Sequence, residues 1–155
     1  MPQSIPTLQE LAFMYGTDKG SEGHNYVPFY EQHLPKSPKK ILEIGVKSGA
    51  SIKMWLKYFP EALVHGMDLF KEFPEPFQDD RVKWWKGHQA DYYLLEQLSR
   101  EDFDIIIDDG SHASRDQMIT FFGLYNGKHY FIEDESSSIT TQVPQSVIYL
   151  KSLKE

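Results

Sequence analysis

Five short apolar runs, separated by stretches with helical rather than alternating spacing, constrain this chain more than any other feature. They lie at 40–44 (KILEI), 63–67 (LVHGM), 82–85 (VKWW), 103–107 (FDIII) and 129–132 (HYFI), and each is of strand length. Between the first two, Ile52, Trp55, Leu56 and Phe59 recur at helical spacing over 51–59, with Gly49 ahead and Pro60 behind to stop the helix. The same pattern returns at Tyr92, Tyr93, Leu94, Leu95 and Leu98, and again at Met118, Ile119, Phe121, Phe122 and Tyr125, where Gly127 supplies a helix-ending signal. Strands without a clean period-2 polar face, alternating with helices, predict a parallel sheet covered on both sides. Right-handed crossovers then give a doubly wound α/β fold. Before the first strand, 7–15 and 26–33 read as short helices flanking the polar loop 16–23.

The length of 155 residues suits one domain, read as a helical cap over 1–34 and a sheet core over 39–155. A net charge of −7 lacks the electrostatic footprint of a nucleic-acid binder and would be repelled by an anionic membrane. Without cysteine there is no disulfide framework, thiolate metal site or cysteine nucleophile. The start MPQSIPTLQE has neither the basic residues nor the apolar run of a signal peptide, and Ile105-Ile106-Ile107 is the longest aliphatic stretch. The expectation is a cytoplasmic protein without a membrane or nucleic-acid partner.

Three groups of residues are candidates for chemistry. The segment Glu43-Ile44-Gly45-Val46-Lys47-Ser48-Gly49 ends a strand and opens a helix, where glycines let a ligand approach the backbone and a helix N-terminus offers free N–H groups. Taken alone, two such glycines fit an ordinary strand-to-helix turn equally well. The spacing is Glu-x-Gly-x-x-x-Gly rather than the Gly-x-Gly-x-x-Gly of a pyrophosphate loop, which disfavours a dinucleotide. Asp68 ends the next run, where a carboxylate can accept ribose hydroxyls, although a turn or cap aspartate is the plain alternative. Asp108-Asp109-Gly110-Ser111-His112 follows the fourth run and Glu133-Asp134-Glu135 the fifth. In a parallel sheet these ends share one edge, so hard carboxylate ligands and a histidine converge where a ligand is already expected. An Asp-Gly turn and a solvated acidic face are the bland readings of the two pieces separately.

These residues resemble those of class I S-adenosylmethionine-dependent methyltransferases, and more narrowly the metal-dependent sugar O-methyltransferases of macrolide biosynthesis, the mycinamicin type. The segments that carry the resemblance are YGTDKGSEGHNYVPFYE at 15–31, ILEIGVKSGASIKMWLKYFP at 41–60, HGMDLF at 65–70, GHQAD at 87–91, FDIIIDDGSH at 103–112 and NGKHYFIED at 126–134. The resemblance implies a Rossmann-like sheet of order 3-2-1-4-5 with helices on both faces, and S-adenosylmethionine and Mg²⁺, or another divalent cation, as cofactors. It implies that Glu43, Gly45 and Gly49 shape the methionine pocket, that Asp68 holds the ribose, that Gln89 with its neighbours borders the adenine, and that Asp108 also belongs to the cofactor site. Thr17, Lys19 and Tyr26 would close over the cofactor, Asp109 and Asp134 would bind the metal, and His112 would be the base.

The implied reaction is methyl transfer to a hydroxyl of a sugar or polyketide glycoside. The alternative is a short S-adenosylmethionine-binding domain with little turnover, and a nicotinamide-dependent oxidoreductase is third. The family adds two strands after a helix read here over 145–153, so these are expected to be missing. The run 129–132 then becomes an open edge, which predicts a homo-oligomer covering it, with 136–141 β-prone enough to contribute.

Overall fold

The computed structural model describes residues 4–74, 77 and 79–134, and the backbone of 148–150. Two helices, α1 (Leu8–Tyr15) and α2 (Val27–His33), precede β1 (Lys40–Ile44), α3 (Ala50–Tyr58) and β2 (Leu63–Asp68). They are followed by β3 (Val82–Lys86), α4 (Tyr92–Ser99), β4 (Ile105–Asp108), α5 (Ser114–Leu124), β5 (His129–Glu133) and β6 (Ile148–Leu150). The sheet runs β3-β2-β1-β4-β5-β6, with every neighbouring pair parallel. The expected 3-2-1-4-5 order and doubly wound architecture are therefore present.

The all-apolar appearance of the strands follows from their two faces. On one face Ile41, Val64, Ile105, Ile107 and Phe131 pack with Leu8, Leu11, Tyr30 and Trp55 from α1, α2 and α3. On the other, Leu42, Ile44, Met67, Ile106 and Ile132 pack with Leu95, Leu98, Phe121 and Leu124 from α4 and α5. Successive residues of one strand thus enter different cores. The helix ends are local. Thr7 and Glu10 form a reciprocal capping box at α1, Gly16 closes that helix at φ 68°, and Asp91 accepts the N–H groups of Tyr93 and Leu94 to start α4.

One expectation is corrected at the end of the chain. Residues 148–150 are a strand rather than part of a helix over 145–153, pairing Phe131 with Ile148, Ile132 with Tyr149 and Glu133 with Leu150. The rest of that segment, and the β-prone 136–141, lie outside the described residues. β5 is accordingly not an open edge over 131–133, and the reason for expecting self-association there falls away. No helix among the described residues is long and apolar enough to cross a membrane.

Candidate active site

Parallel strands bring the ends of β1, β2, β4 and β5 to one edge, and the loops that leave them are tied to each other by backbone. The N–H of Gly45 donates to the Met67 carbonyl at 2.8 Å and that of Asp109 to the Ile44 carbonyl at 2.9 Å. Gly45 adopts φ 85°, and a Cβ there would lie 2.0 Å from the carbonyl oxygen of Asp109. This glycine is needed for contact between two loops of the protein itself. Gly49, at φ 88°, opens α3 without a side-chain cap. Asp68 binds the loop between them: its Oδ2 accepts the N–H groups of Val46 at 2.7 Å and Lys47 at 3.0 Å, and Oδ1 that of Leu69 at 2.7 Å.

A cavity of about 230 Å³ opens between these loops, lined among others by Gly45, Lys47, Asp68, His88, Gln89, Asp109 and Ser111. Gln89 is buried at its wall. Its Nε2 donates to both oxygens of Asp108 at 3.2 Å and to Thr120 Oγ1 at 3.0 Å, while its Oε1 accepts the N–H of Ser111 at 2.7 Å. Asp108 lies beneath the cavity rather than on it, and burial pushes its carboxyl up to about 6. Thr17 lies on the far side of the glycine loop, with its hydroxyl 3.2 Å from that of Ser51, and borders a smaller hollow shared with Gly45, Lys47 and Asp109.

The second and third acidic ends meet as expected. Asp109, His112 and Asp134 each offer one atom to a group lying within 4.8 Å of one another. His112 Nε2 is 3.8 Å from Asp109 Oδ1 and 3.6 Å from Asp134 Oδ2. Two of the three residues, His112 at φ 60° and Asp134 at φ 51°, hold the left-handed backbone conformation that side chains seldom adopt and that gathers at functional sites.

Behind this group stands a buried polar cluster that only partly follows the sequence reading. The ammonium of Lys19, fully buried, lies 2.8 Å from Glu133 Oε2 and 3.1 Å from Asp109 Oδ2. Burial pulls its pKa down, but the carboxylates of Glu133, Glu43 and Asp109 together hold it well above the ordinary lysine value. Tyr30 donates to Glu133 Oε1 at 2.5 Å, and the Tyr26 hydroxyl donates to Asp134 Oδ1. Glu43 is fully buried on the α3 side of the sheet, where its Oε2 accepts the Trp55 indole N–H at 2.6 Å and burial raises its pKa. Tyr30 and Trp55 were not among the sequence candidates, and Glu133 was one only as part of the acidic run 133–135, without a role of its own. Glu133 ends β5 beside Asp134, so the acidic pair was the available signal, but the aromatic partners look like core residues in the sequence.

The donor set fits a hard divalent cation. Two carboxylate oxygens face a common point, the buried Nδ1 of His112 has no hydrogen-bond partner among the described residues, and Lys19 is outnumbered by the carboxylates around it.

A doubly wound parallel sheet with this glycine loop, an acid ending β2 and an acidic, histidine-bearing loop after β4 is the arrangement implied by the resemblance to class I S-adenosylmethionine-dependent methyltransferases. No protein-family model matches the chain. Among individual proteins it is 35% identical over 143 residues to the 8-demethyl-8-(2-methoxy-alpha-L-rhamnosyl)-tetracenomycin-C 3'-O-methyltransferase of Streptomyces olivaceus, covering 82% of this chain and 36% of that protein. It is 32% identical over 145 residues to the mycinamicin VI 2''-O-methyltransferase of Micromonospora griseorubida, covering 83% and 36% respectively. The solved structure of MycE methyltransferase from the mycinamycin biosynthetic pathway, in complex with Mg and SAH, superposes with a TM-score of 0.74 at 29% identity, over 88% of this chain and 39% of that one. Over the matched part of their length, the chain is similar to the macrolide and tetracenomycin sugar O-methyltransferases of the mycinamicin type. It spans little more than a third of the length of these relatives.

Proposed function

We propose that this chain binds S-adenosylmethionine and carries out O-methyl transfer to a hydroxyl of a sugar or polyketide glycoside, with Mg²⁺ or another divalent ion at Asp109 and Asp134 and with His112 as base. The observation that carries this reading is the convergence of Asp109, His112 and Asp134 within 4.8 Å, with Asp109 also lining the cavity at the glycine loop. The relatives' sugar O-methyltransferase activities and the Mg and SAH in the MycE structure support it. The acceptor is a small molecule in a cytoplasmic setting, with no nucleic-acid or membrane partner.

In this reading the cavity receives the cofactor. Gly45 and Gly49 let it approach the loop and Glu43 supports the loop from below. Gln89 and Asp108 shape the adenine side, and Thr17, Lys19 and Tyr26 approach from the N-terminal cap. A carboxylate has about four acceptor sites, and three N–H groups already use those of Asp68, which leaves capacity for a ribose hydroxyl. A sugar hydroxyl is almost wholly protonated at pH 7, and a bound divalent ion lowers its pKa. His112 accepts the hydroxyl proton at Nε2. The acceptor oxygen forms its bond to the methyl carbon as the carbon–sulfur bond breaks, and the electron pair stays on sulfur. The thioether leaves neutral, so no acid is required of the protein. A base so placed contributes about 10²–10⁴ in rate.

Calorimetric titration with S-adenosylmethionine, S-adenosylhomocysteine and NAD tests the cofactor. Asp68→Ala removes bonds to a charged group worth about 1.5–3 kcal/mol each, so affinity for the first two should fall at least about tenfold. Unchanged affinity in the folded variant rejects the role of Asp68, and binding of NAD alone rejects the reading as a whole. In an assay with a glycosylated acceptor, a chelator should abolish transfer and Mg²⁺ restore it. His112→Ala should lower turnover while leaving cofactor affinity intact.

A further inference from the structure

We propose that Lys19 and Tyr26 are positioning residues for the metal site: each holds one oxygen of a ligand carboxylate and thereby directs the other at the ion. The inference rests on the metal reading above and deepens it.

The two candidate ligand carboxylates are held in the same way. Asp109 gives Oδ2 to the Lys19 ammonium at 3.1 Å, while its Oδ1 is the oxygen near His112 Nε2. Asp134 accepts the Tyr26 hydroxyl on Oδ1, while its Oδ2 is the oxygen near the same nitrogen. In both, a residue of the N-terminal segment occupies the far oxygen and the near one is left to the site. An unrestrained carboxylate turns about two side-chain torsions. One with an oxygen fixed presents the other in a single direction, as the partners behind metal ligands commonly ensure.

The two holding residues are themselves in register. The Lys19 carbonyl accepts the N–H of Tyr26 at 2.7 Å and that of Val27 at 3.2 Å, so the loop between them closes on itself. Lys19 is further fixed by Glu133 at 2.8 Å, and Glu133 by the Tyr30 hydroxyl at 2.5 Å. A contiguous set of contacts therefore runs from α2 through Glu133 and Lys19 to Asp109, while Tyr26 reaches Asp134 directly. Buried charge of this kind tolerates no loss of a partner, so the informative variant removes a hydroxyl and leaves Lys19 in place.

Mn²⁺ binding to the full chain, followed by the electron paramagnetic resonance of free and bound ion, provides the test. Tyr26→Phe should weaken Mn²⁺ binding by about 10–100-fold and alter the bound-ion spectrum, in a metal-free protein that still unfolds cooperatively. Asp134→Asn should weaken it at least as much, and adding Tyr26→Phe to that variant should produce no further loss. Wild-type affinity and spectrum in Tyr26→Phe, with Asp134→Asn impaired, overturns the positioning role and leaves the metal site standing. Equal Mn²⁺ binding by the wild type and Asp134→Asn overturns the metal reading and this inference with it. Should Tyr26→Phe fail to fold, Lys19→Arg, which keeps the charge and changes the geometry at Asp109, is judged by the same criterion.

Discussion

At the residue scale, His65 illustrates how a polar side chain on a strand is absorbed into a core. It sits buried on β2, accepts the Trp85 indole N–H on Nδ1 at 3.1 Å and meets the Phe103 ring edge-on at 5.0 Å. Burial pulls its pKa down to about 4, only partly opposed by Glu101, with Lys83 and Lys40 adding to the fall. The folded protein thus binds fewer protons here than the unfolded chain between pH 6.5 and about 4. Stability from this group is complete above that window and is lost as pH falls through it, by at most about 3 kcal/mol. Urea unfolding of the wild type and His65→Gln across that range should show a shallower pH slope in the variant; parallel slopes would refute the assignment. Gly45 makes the complementary point. Alanine there combines φ 85° with a Cβ 2.0 Å from the Asp109 carbonyl, so Gly45→Ala should cost about 2–4 kcal/mol in chemical denaturation and displace the loop that carries Asp109.

At the element scale, α3 depends on a residue from outside it. Arg81, which precedes β3, caps its C-terminal end: Nη2 donates to Leu56 O at 3.1 Å in the last turn, and Nη1 to the carbonyls just beyond it, Phe59 O at 3.1 Å and Pro60 O at 2.6 Å. Asp79 orients the guanidinium through both of its oxygens. Because α3 carries Trp55, the partner of Glu43, this cap supports the site from a distance. Arg81→Ala should lower stability by about 1–3 kcal/mol, read as a lower denaturant midpoint with an unchanged slope. The helix after β4 begins at Ser114, ahead of the apolar residues from Met118 that reveal it in the sequence. Ala113 occupies the N-cap and offers no side-chain acceptor, so the usual capping signal is missing and only Asp116 in the first turn marks the start. Likewise 148–150 reads VIYL with its predecessor, compatible with helix or strand, and pairing with β5 decides it.

At the scale of the whole molecule, the site joins segments from both ends of the described chain: the N-terminal cap, the loops after β1, β2 and β4, and the end of β5. A ligand binding only the assembled site stabilises the fold by mass action. Mg²⁺ at about 100 times its dissociation constant should add about 2.7 kcal/mol, seen in a thermal scan as a rise that excess chelator reverses and that Asp134→Asn lacks. No Mg²⁺-dependent shift in the wild type at any millimolar concentration would count against the site.

The alternation of strands and helices and the meeting of the segments 108–112 and 133–135 at one edge were legible in the sequence, because they depend on local periodicity and on the rule that parallel strands end together, whereas Asp109 and Asp134 were singled out within them only by the resemblance. The depth of each side chain was not. Glu43 and Asp108 have carboxylates like that of Asp68, yet tertiary packing buries them and leaves Asp68 partly open. Lys19 and Tyr26 read as residues near the cofactor, but their hydrogen bonds run to Asp109, Glu133 and Asp134. Those partners lie some ninety residues or more away, and only the packing of α1 and α2 against the sheet brings them within reach. Local sequence determines which atoms are available for hydrogen bonding, whereas burial and pairing depend on what the rest of the chain places beside them.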